Sequence, residues 1–188
     1  IKEFANRNKN IDDKPFGGGP GMILKADVLQ NAYNKAVESI EKHVSNYHKI
    51  MLTPRGERLT QEIINGMSKS EGIILVCGRY EGVDQRFIEN NSIQEISIGD
   101  YIISSGEIAA YVLIDACIRL IPKVLGNKNS LNNESFINFL LEYPQYTKPR
   151  NWNNIVVPKI LTSGNHEKIK EWRLKKSIEK TKKIRPDL

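Results

Sequence analysis

Apolar runs and helical periodicities alternate along the first part of the chain. Apolar residues recur at helical spacing from Val28 to Ile40, and Asp27 is placed to cap that helix. Ile73–Cys77 is a run of five apolar residues, which predicts a strand covered on both faces, as in a parallel sheet. Further strands are predicted at Glu95–Ile98 and Tyr101–Ile103.

Shorter patterns connect these elements. The apolar run Ile50–Leu52 is followed by Thr53–Gly56, where Pro and Gly require the chain to turn. Thr60 then opens a short helix that ends near Gly66.

Gly106–Ile121 predicts a helix of another kind. Its surface is apolar except at three charged positions, Glu107, Asp115 and Arg119. A helix that is hydrophobic on nearly all sides is expected to be buried nearly all round.

The last part of the chain contains helical patterns without strands. Gly126–Glu134 is rich in Asn and Ser and predicts a mobile linker. Ser135 begins a segment interpreted as amphipathic, with apolar residues at Phe136, Ile137, Phe139, Leu140 and Leu141. The whole pattern predicts an α/β domain over residues 1–125, a linker over 126–134 and a small helical domain over 135–188.

Composition places the chain among cytoplasmic proteins. Hydrophobic residues make up 39% of it, enough for a buried core, and no apolar run is long enough to span a bilayer. Cys77 and Cys117 each lie in an apolar run without a CxxC partner, so we interpret them as reduced core thiols. The chain does not start with Met and is expected to be a fragment.

The formal net charge of +6 is concentrated at the C-terminal end. Between Asn165 and Leu188 there are nine Lys or Arg against four Asp or Glu, a surplus of five. Because Glu and Lys alternate there, charge alone slightly favours a solvated helical face. The tail lysines (Lys180, Lys182 and Lys183) have little acidic compensation, and they are suited to contact a polyanion such as RNA.

Four loops are dense in glycine and polar groups: Asp12–Gly21, Leu52–Gly56, Gly78–Gly82 and Ser97–Glu107. In an α/β sheet the loops after the strands build the ligand site, and glycine lets the backbone approach a ligand closely. The Gly17–Gly21 cluster has neither the GK[ST] ending of a phosphate-binding P-loop nor a GxGxxG spacing after a strand. The loops therefore favour a different ligand site.

Seven segments form an ordered set: DDKPFGGGPGM at 12–22, LTPRGERL at 52–59, LVCGRYEGVDQR at 75–86, SIGDYIISSGE at 97–107, LIDACIRLIPKVLGN at 113–127, LEYPQYTKP at 141–149 and LTSGNHEKIKEWR at 161–173. In that order they resemble the signature segments of the bacterial tRNA (guanine-N1) methyltransferases of the TrmD family, in the SPOUT superfamily. The resemblance covers almost the whole chain.

This resemblance implies a trefoil-knotted α/β domain that begins with a strand and helix before residue 1, a helical C-terminal domain that binds tRNA, and a homodimer. It implies S-adenosylmethionine-dependent methylation of the guanosine 3′ of the anticodon, position 37. Carried over residue by residue, the donor contacts are Leu52, Thr53, Gly78, Glu81, Ser97, Ile98, Gly99, Tyr101, Ile103 and Gly106.

The chemistry adds its own requirements. Guanine N1 carries a proton at neutral pH, so methylation needs a base near N1 and a cation or N–H donor near O6. The resemblance implies Arg119 as the cation, although Arg119 is also spaced to pair with Asp115. The implied base is Glu134, where most members have Asp; a carboxylate at a helix start is also an ordinary partner of the helix dipole. Two further departures, Ser105 for Gly and Ala109 for Pro, are expected to alter donor affinity.

Several residues have two interpretations. The resemblance implies that Asp12 and Asp13 lie near the target base, but Asp before a turn is commonplace. Trp152 and Trp172 are interpreted as core anchors rather than base-stacking platforms.

Magnesium is also implied, yet the three histidines show no metal-ligand spacing. The alternative function is an RNA-binding or ribose-methylating relative of the same superfamily, which would not need a base for a ring nitrogen.

Overall fold

The computed structural model describes residues 1–5, 10–40, 45–126 and 134–188. They divide into two compact units, Ile1–Leu125 and Gly126–Leu188. The predicted linker over 126–134 lies outside the described residues except at its two ends, Gly126 and Glu134.

The first unit alternates strands and helices. After a 3₁₀ turn at Lys2–Phe4, its elements are β1 (Asp12–Asp13), β2 (Ile23–Leu24), α1 (Ala26–Ile40), β3 (Tyr47–Arg58), α2 (Gln61–Met67), β4 (Gly72–Cys77), α3 (Gln85–Asn90), β5 (Gln94–Ser97) and α4 (Gly106–Ile118). β3 is the central strand of a three-stranded sheet and pairs in parallel with both β4 and β5. The prediction of an α/β fold with a parallel sheet is confirmed.

Helices cover both faces of this sheet. Ile50 and Leu52 of β3 are buried on one face with residues of α2 and α4, including Ile64 and Leu113. Met51, between them, is buried on the other face with residues of α1 and α3. Successive side chains of a strand point to opposite faces, so an unbroken apolar run suits a sheet that is buried on both sides.

The predicted strands at 73–77 and 95–98 correspond to β4 and β5. The short helix after Thr60 is also confirmed, since the Thr60 hydroxyl accepts a hydrogen bond from the Ile63 N–H at 3.3 Å. The predicted cap of α1 is wrong by two positions: the helix begins at Ala26, so Lys25 occupies the cap position and Asp27 lies in the first turn.

The predicted strand at Tyr101–Ile103 is wrong. The segment forms an irregular loop, and both Tyr101 and Ile102 are exposed. Gly99 has a φ of +149°, and the Tyr101 N–H donates to the Gly99 carbonyl oxygen at 3.0 Å. This tight turn takes the backbone out of the extended conformation before a strand can form.

α4 is buried on one face only, so the prediction of burial nearly all round is wrong for this chain. Gly106, Ala109, Ala110, Leu113 and Cys117 face the sheet. The opposite side carries exposed apolar residues, here called the α4 outer face: Ile108, Tyr111, Val112 and Ile118. Tyr111 and Val112 follow Ile108 at three and four residues, and Ile118 follows Tyr111 at seven, so all four lie on one stripe of the helix.

The second unit contains the antiparallel pair β6 (Asn151–Trp152) and β7 (Ile155–Val156), 3₁₀ turns at Ile137–Phe139 and Lys159–Thr162, and α5 (His166–Ile184). The predicted basic helix corresponds to α5. The amphipathic helix predicted from Ser135 is wrong: only the 3₁₀ turn forms there, because Phe136 and Asn138 adopt left-handed φ of 77° and 51°. Left-handed residues interrupt an α-helix.

Candidate active site

A cleft of 340 Å³ lies at the carboxyl ends of the three parallel strands. Its walls are an irregular segment inside β3, the loops that follow β4 and β5, and the first turn of α4. All ten predicted donor contacts line this strand-end cleft: Leu52, Thr53, Gly78, Glu81, Ser97, Ile98, Gly99, Tyr101, Ile103 and Gly106. Ligands of open α/β sheets bind at this edge.

The first wall is an irregularity inside β3. Leu52 and Glu57 both pair with Ile96 of β5, so the four residues between them leave the ladder. Gly56 lies so close to the β5 backbone that a Cβ would collide with the Ile96 nitrogen. The turn predicted at Thr53–Gly56 is therefore a bulge within one strand, and it directs Thr53 into the cleft lining.

The second wall is a close contact between the end of β4 and the start of α4. The Gly106 N–H donates to the Gly78 carbonyl oxygen at 3.1 Å. A Cβ on Gly106 would lie 2.9 Å from the Gly78 nitrogen and 3.0 Å from Cys77 Cα. Only glycine permits this approach, and it places no side chain between the cleft and this part of the backbone.

The third wall is the turn after β5. Ser97 is buried, and its hydroxyl both accepts from the Gly99 N–H at 3.2 Å and donates to the Gly99 carbonyl oxygen at 3.1 Å. The Tyr101 ring lies directly against Gly99, where a Cβ would be 2.6 Å from the ring. These contacts hold the Ile98–Gly99 backbone at the cleft in one conformation.

An ion pair spans the β4 loop and α4. Arg79 donates from Nε and Nη2 to Glu107 Oε1 at 3.1 and 2.9 Å. The pKa of Glu107 is lowered, chiefly by a hydrogen bond from its own backbone N–H and then by the bonds from Arg79. Burial raises the pKa of Cys77, and the nearby Glu107 carboxylate raises it further, so this thiol stays protonated at neutral pH.

A second cleft, of 1150 Å³, adjoins the first, and the two share Arg55 and Glu81 in their linings. Asp13 and the exposed Phe16, beside the Gly-rich loop, also line it. This loop is tied to the β4 loop, because the Glu81 N–H donates to the Met22 carbonyl oxygen at 3.0 Å. The structure thus places Asp13 in the cleft beside the predicted donor contacts, whereas Asp12 is half-buried in β1.

The other predicted site residues lie elsewhere. Arg119 is half-buried and is the C-cap residue that follows Ile118 at the end of α4, in the first unit. Glu134 belongs to the second unit, where it lines a groove together with Arg173 of α5. The tail lysines are exposed on α5, and none of them forms an ion pair with another residue that the structure describes.

Sequence reasoning missed two cations of the strand-end cleft, Arg55 and Arg79. Arg55 forms an ion pair with Glu95 at 3.3 Å. Arg79 forms the ion pair with Glu107 that is described above. Both arginines lie inside family-like motifs, TPRGE and GRYEG, beside the predicted donor contacts. The available signal was a cation in each loop that follows an apolar strand.

No metal centre is formed by the described ranges, which hold no group of three His, Cys, Asp or Glu side chains that could bind a metal ion. Nor does any helix in them have the length and apolarity to cross a membrane. Cys77 and Cys117 are both free thiols.

Comparison with known proteins gives matches over all or nearly all of this chain. The family model described as tRNA (Guanine-1)-methyltransferase TrmD matches residues 1–188. A tRNA (guanine-N(1)-)-methyltransferase of Neorickettsia sennetsu is 46% identical over 188 residues, which are 100% of this chain and 81% of the relative. Proteins of the same description from Pelagibacter ubique and Brucella ovis are each 48% identical, over 97% and 100% of this chain and 78% and 76% of their own lengths.

Proposed function

Because the chain belongs to the TrmD family of tRNA (guanine-N1) methyltransferases, we propose that it methylates guanosine 37, the nucleoside 3′ of the anticodon. Methylation of N1 of a tRNA guanosine with S-adenosylmethionine is the activity of the family. The choice of position 37 is the finer proposal, and it follows from the family resemblance of the seven segments.

We propose the strand-end cleft as the donor site. The observation that carries this proposal is the convergence of the ten residues, from three separate loops, on one cleft. Gly78 and Gly106 place no side chain between the cleft and the backbone of β4 and α4, so a flat adenine ring can approach that backbone closely. The bound donor supplies an electrophilic methyl group on a sulfonium. The cleft residues bind it and hold it in position.

Proton removal from N1 is assigned to Glu134, and stabilisation of charge on O6 to Arg119. N1 has no available lone pair until its proton leaves, and negative charge then develops on O6. Glutamate has the basicity of the aspartate that most family members carry at this position. The guanidinium of Arg119 is always charged and offers several N–H donors to an oxygen.

A homodimer is supported by the α4 outer face. Tyr111 is 75% exposed and Ile108 57% exposed, although both lie on a helix rich in apolar residues. A contiguous apolar stripe of this kind marks a protein–protein contact. Arg119 ends the same helix, so a partner seated on this face would lie close to it.

The remaining proposals concern topology, tRNA and compartment. We propose that the cleft loops form a trefoil knot. We also propose that residues 135–188 form a tRNA-binding domain and that the protein acts in the cytoplasm. Exposed tail lysines on α5 support contacts with phosphates, and Asp13 in the second cleft supports a contact near the target base. We propose that Asp12, which lies in β1, supports the Gly-rich loop beside the second cleft.

The direct test is to map the methyl group. The full chain is incubated with labelled donor and a tRNA transcript bearing guanosine 37, and the product is digested and its nucleosides are identified. We expect N1-methylguanosine from this transcript and none from a matched transcript with adenosine at position 37. Label on a ribose hydroxyl would instead support the ribose-methylating alternative, and label at another guanosine would exclude position 37.

A further inference from the structure

The hairpin formed by β6 and β7 has a defined shape. Trp152 pairs with Ile155, and the two residues between them, Asn153 and Asn154, are both left-handed with φ of 51° and 63°. A two-residue turn with this backbone matches the twist of antiparallel strands, and Asn is among the residues that adopt it most readily. The turn therefore fixes the orientation of the two side chains that flank it.

Those two side chains form an exposed apolar pair. Trp152 is 63% exposed and Ile155 is 66% exposed, so Trp152 is not the core anchor that the sequence predicted. Directly paired residues of an antiparallel ladder lie on the same face, so both face outward together. Trp172, in contrast, is half-buried and lies against Tyr146 with ring centroids 6.4 Å apart. An indole presented at the tip of a rigid turn indicates a surface that binds a partner.

The charge of the segment that contains the hairpin favours one kind of partner. From Tyr143 to His166 the chain contains no Asp or Glu, whereas it contains three cations, Lys148, Arg150 and Lys159, all exposed. Arg150 Nη2 donates to Thr162 Oγ1 at 3.2 Å, which holds the guanidinium beside the base of the hairpin. An exposed indole in a segment that carries exposed cations and no acids matches a single-stranded nucleic acid, whose bases stack while its phosphates are neutralised.

We infer that the hairpin is a second RNA contact, in which Trp152 stacks on an unpaired base of the tRNA substrate. Lys148 and Arg150 neutralise the phosphates that adjoin that base. This inference rests on the proposed tRNA methyltransferase function. It differs from the proposal for the tail lysines, because a stack contributes affinity that is nearly independent of salt, whereas lysine–phosphate contacts weaken as salt rises.

Equilibrium binding of the tRNA transcript to the full chain, at several salt concentrations, tests this contact. Trp152→Ala should weaken binding about tenfold, the scale of one base–aromatic stack, and leave the salt slope unchanged. Trp152→Phe keeps an aromatic face and should retain most of the affinity. Val156→Ala is the matched control, since Val156 is exposed but belongs to the other cross-strand pair, with Asn151. Wild-type affinity for Trp152→Ala would overturn the inference.

A fluorescence measurement provides a second readout. The chain has two tryptophans, so Trp172→Phe leaves Trp152 as the single indole emitter. Stacking on a base should quench its emission on saturation with tRNA, and unchanged emission would overturn the inference. Light scattering should give the same molecular mass for Trp152→Ala as for the wild type. If the substitution converted a dimer into monomers, the hairpin would be a contact between subunits instead of an RNA contact. If the wild-type chain itself formed no N1-methylguanosine, the proposed function would fail, whatever the hairpin variants do.

Discussion

Gly106 is a position in the cleft wall where a single added methyl group should damage the donor site. In Gly106→Ala the new Cβ would lie 2.9 Å from the Gly78 nitrogen, whereas ordinary contact begins near 3.4 Å. The neighbours are backbone atoms of Cys77 and Gly78, so no rotamer change can relieve the overlap. The start of α4 and the end of β4 must therefore separate by about 0.5 Å, and overpacking of this kind costs about 1–3 kcal/mol.

The separation falls within the cleft wall, so it should also reduce donor affinity. We expect S-adenosylhomocysteine to bind Gly106→Ala at least about tenfold more weakly by calorimetry, equivalent to about 1.4 kcal/mol. The free energy of unfolding in urea should fall by about 1–3 kcal/mol. The measurements use the full chain at one protein concentration, because a dimer is proposed and its stability would depend on concentration.

Gly66→Ala is the matched control. Gly66 is exposed in α2, and its added Cβ would meet no atom within 4 Å. Alanine there should leave donor affinity unchanged and raise the free energy of unfolding by about 0.5–1 kcal/mol. If Gly106→Ala bound the ligand and unfolded like the wild type, the close approach of α4 to β4 would not define the donor site.

Four other perturbations test the remaining proposals. Glu134→Gln should lower the single-turnover methylation rate by about 100-fold or more, whereas Glu134→Asp should keep or raise that rate. If Glu134→Gln methylated tRNA at nearly the wild-type rate, Glu134 would not be the base. Changing all three tail lysines to Glu should weaken tRNA binding and leave donor binding unaltered. The salt slope of tRNA binding should flatten by about 0.7–0.9 for each phosphate that is no longer neutralised, and an unchanged slope would indicate that these lysines only face solvent. Tyr111→Lys should give a monomer by light scattering, and a persisting dimer would exclude the α4 outer face as the interface. Finally, the pKa of Glu107 is lowered from 4.5, so its pairing with Arg79 stabilises the fold above that pH and less as the pH falls. The difference in unfolding free energy between the wild type and Arg79→Ala should therefore shrink from about pH 7 to about pH 3, and a difference independent of pH would contradict the pairing.

The sequence alone determined the elements whose cause is local. The apolar run at 73–77 forms β4, because a run covered on both faces needs apolar residues at every position. Thr60 caps α2 through a hydrogen bond to a residue three positions away. The family and its chemistry were also accessible from sequence, because ordered motifs identify a family without any knowledge of distances.

Features that depend on the backbone conformation of a turn, rather than on apolar composition, appeared only in the tertiary structure. Tyr101–Ile103 has the composition of a strand, yet the turn at Gly99 and the Ser97 hydroxyl direct it into the cleft wall. Trp152 has the character of a core residue, but the hairpin turn exposes it. Apolarity in a sequence identifies side chains that favour burial, without specifying what covers them.

The same reason explains α4 and the cleft. The apolar residues of α4 predicted burial on nearly all sides, but the sheet of this chain covers only one side of α4. The ten predicted donor contacts come from three loops separated by many residues, and only the parallel order β4–β3–β5 brings those loops to one edge of the sheet. Local sequence determines what each loop offers, whereas strand order, a long-range property, determines which loops meet.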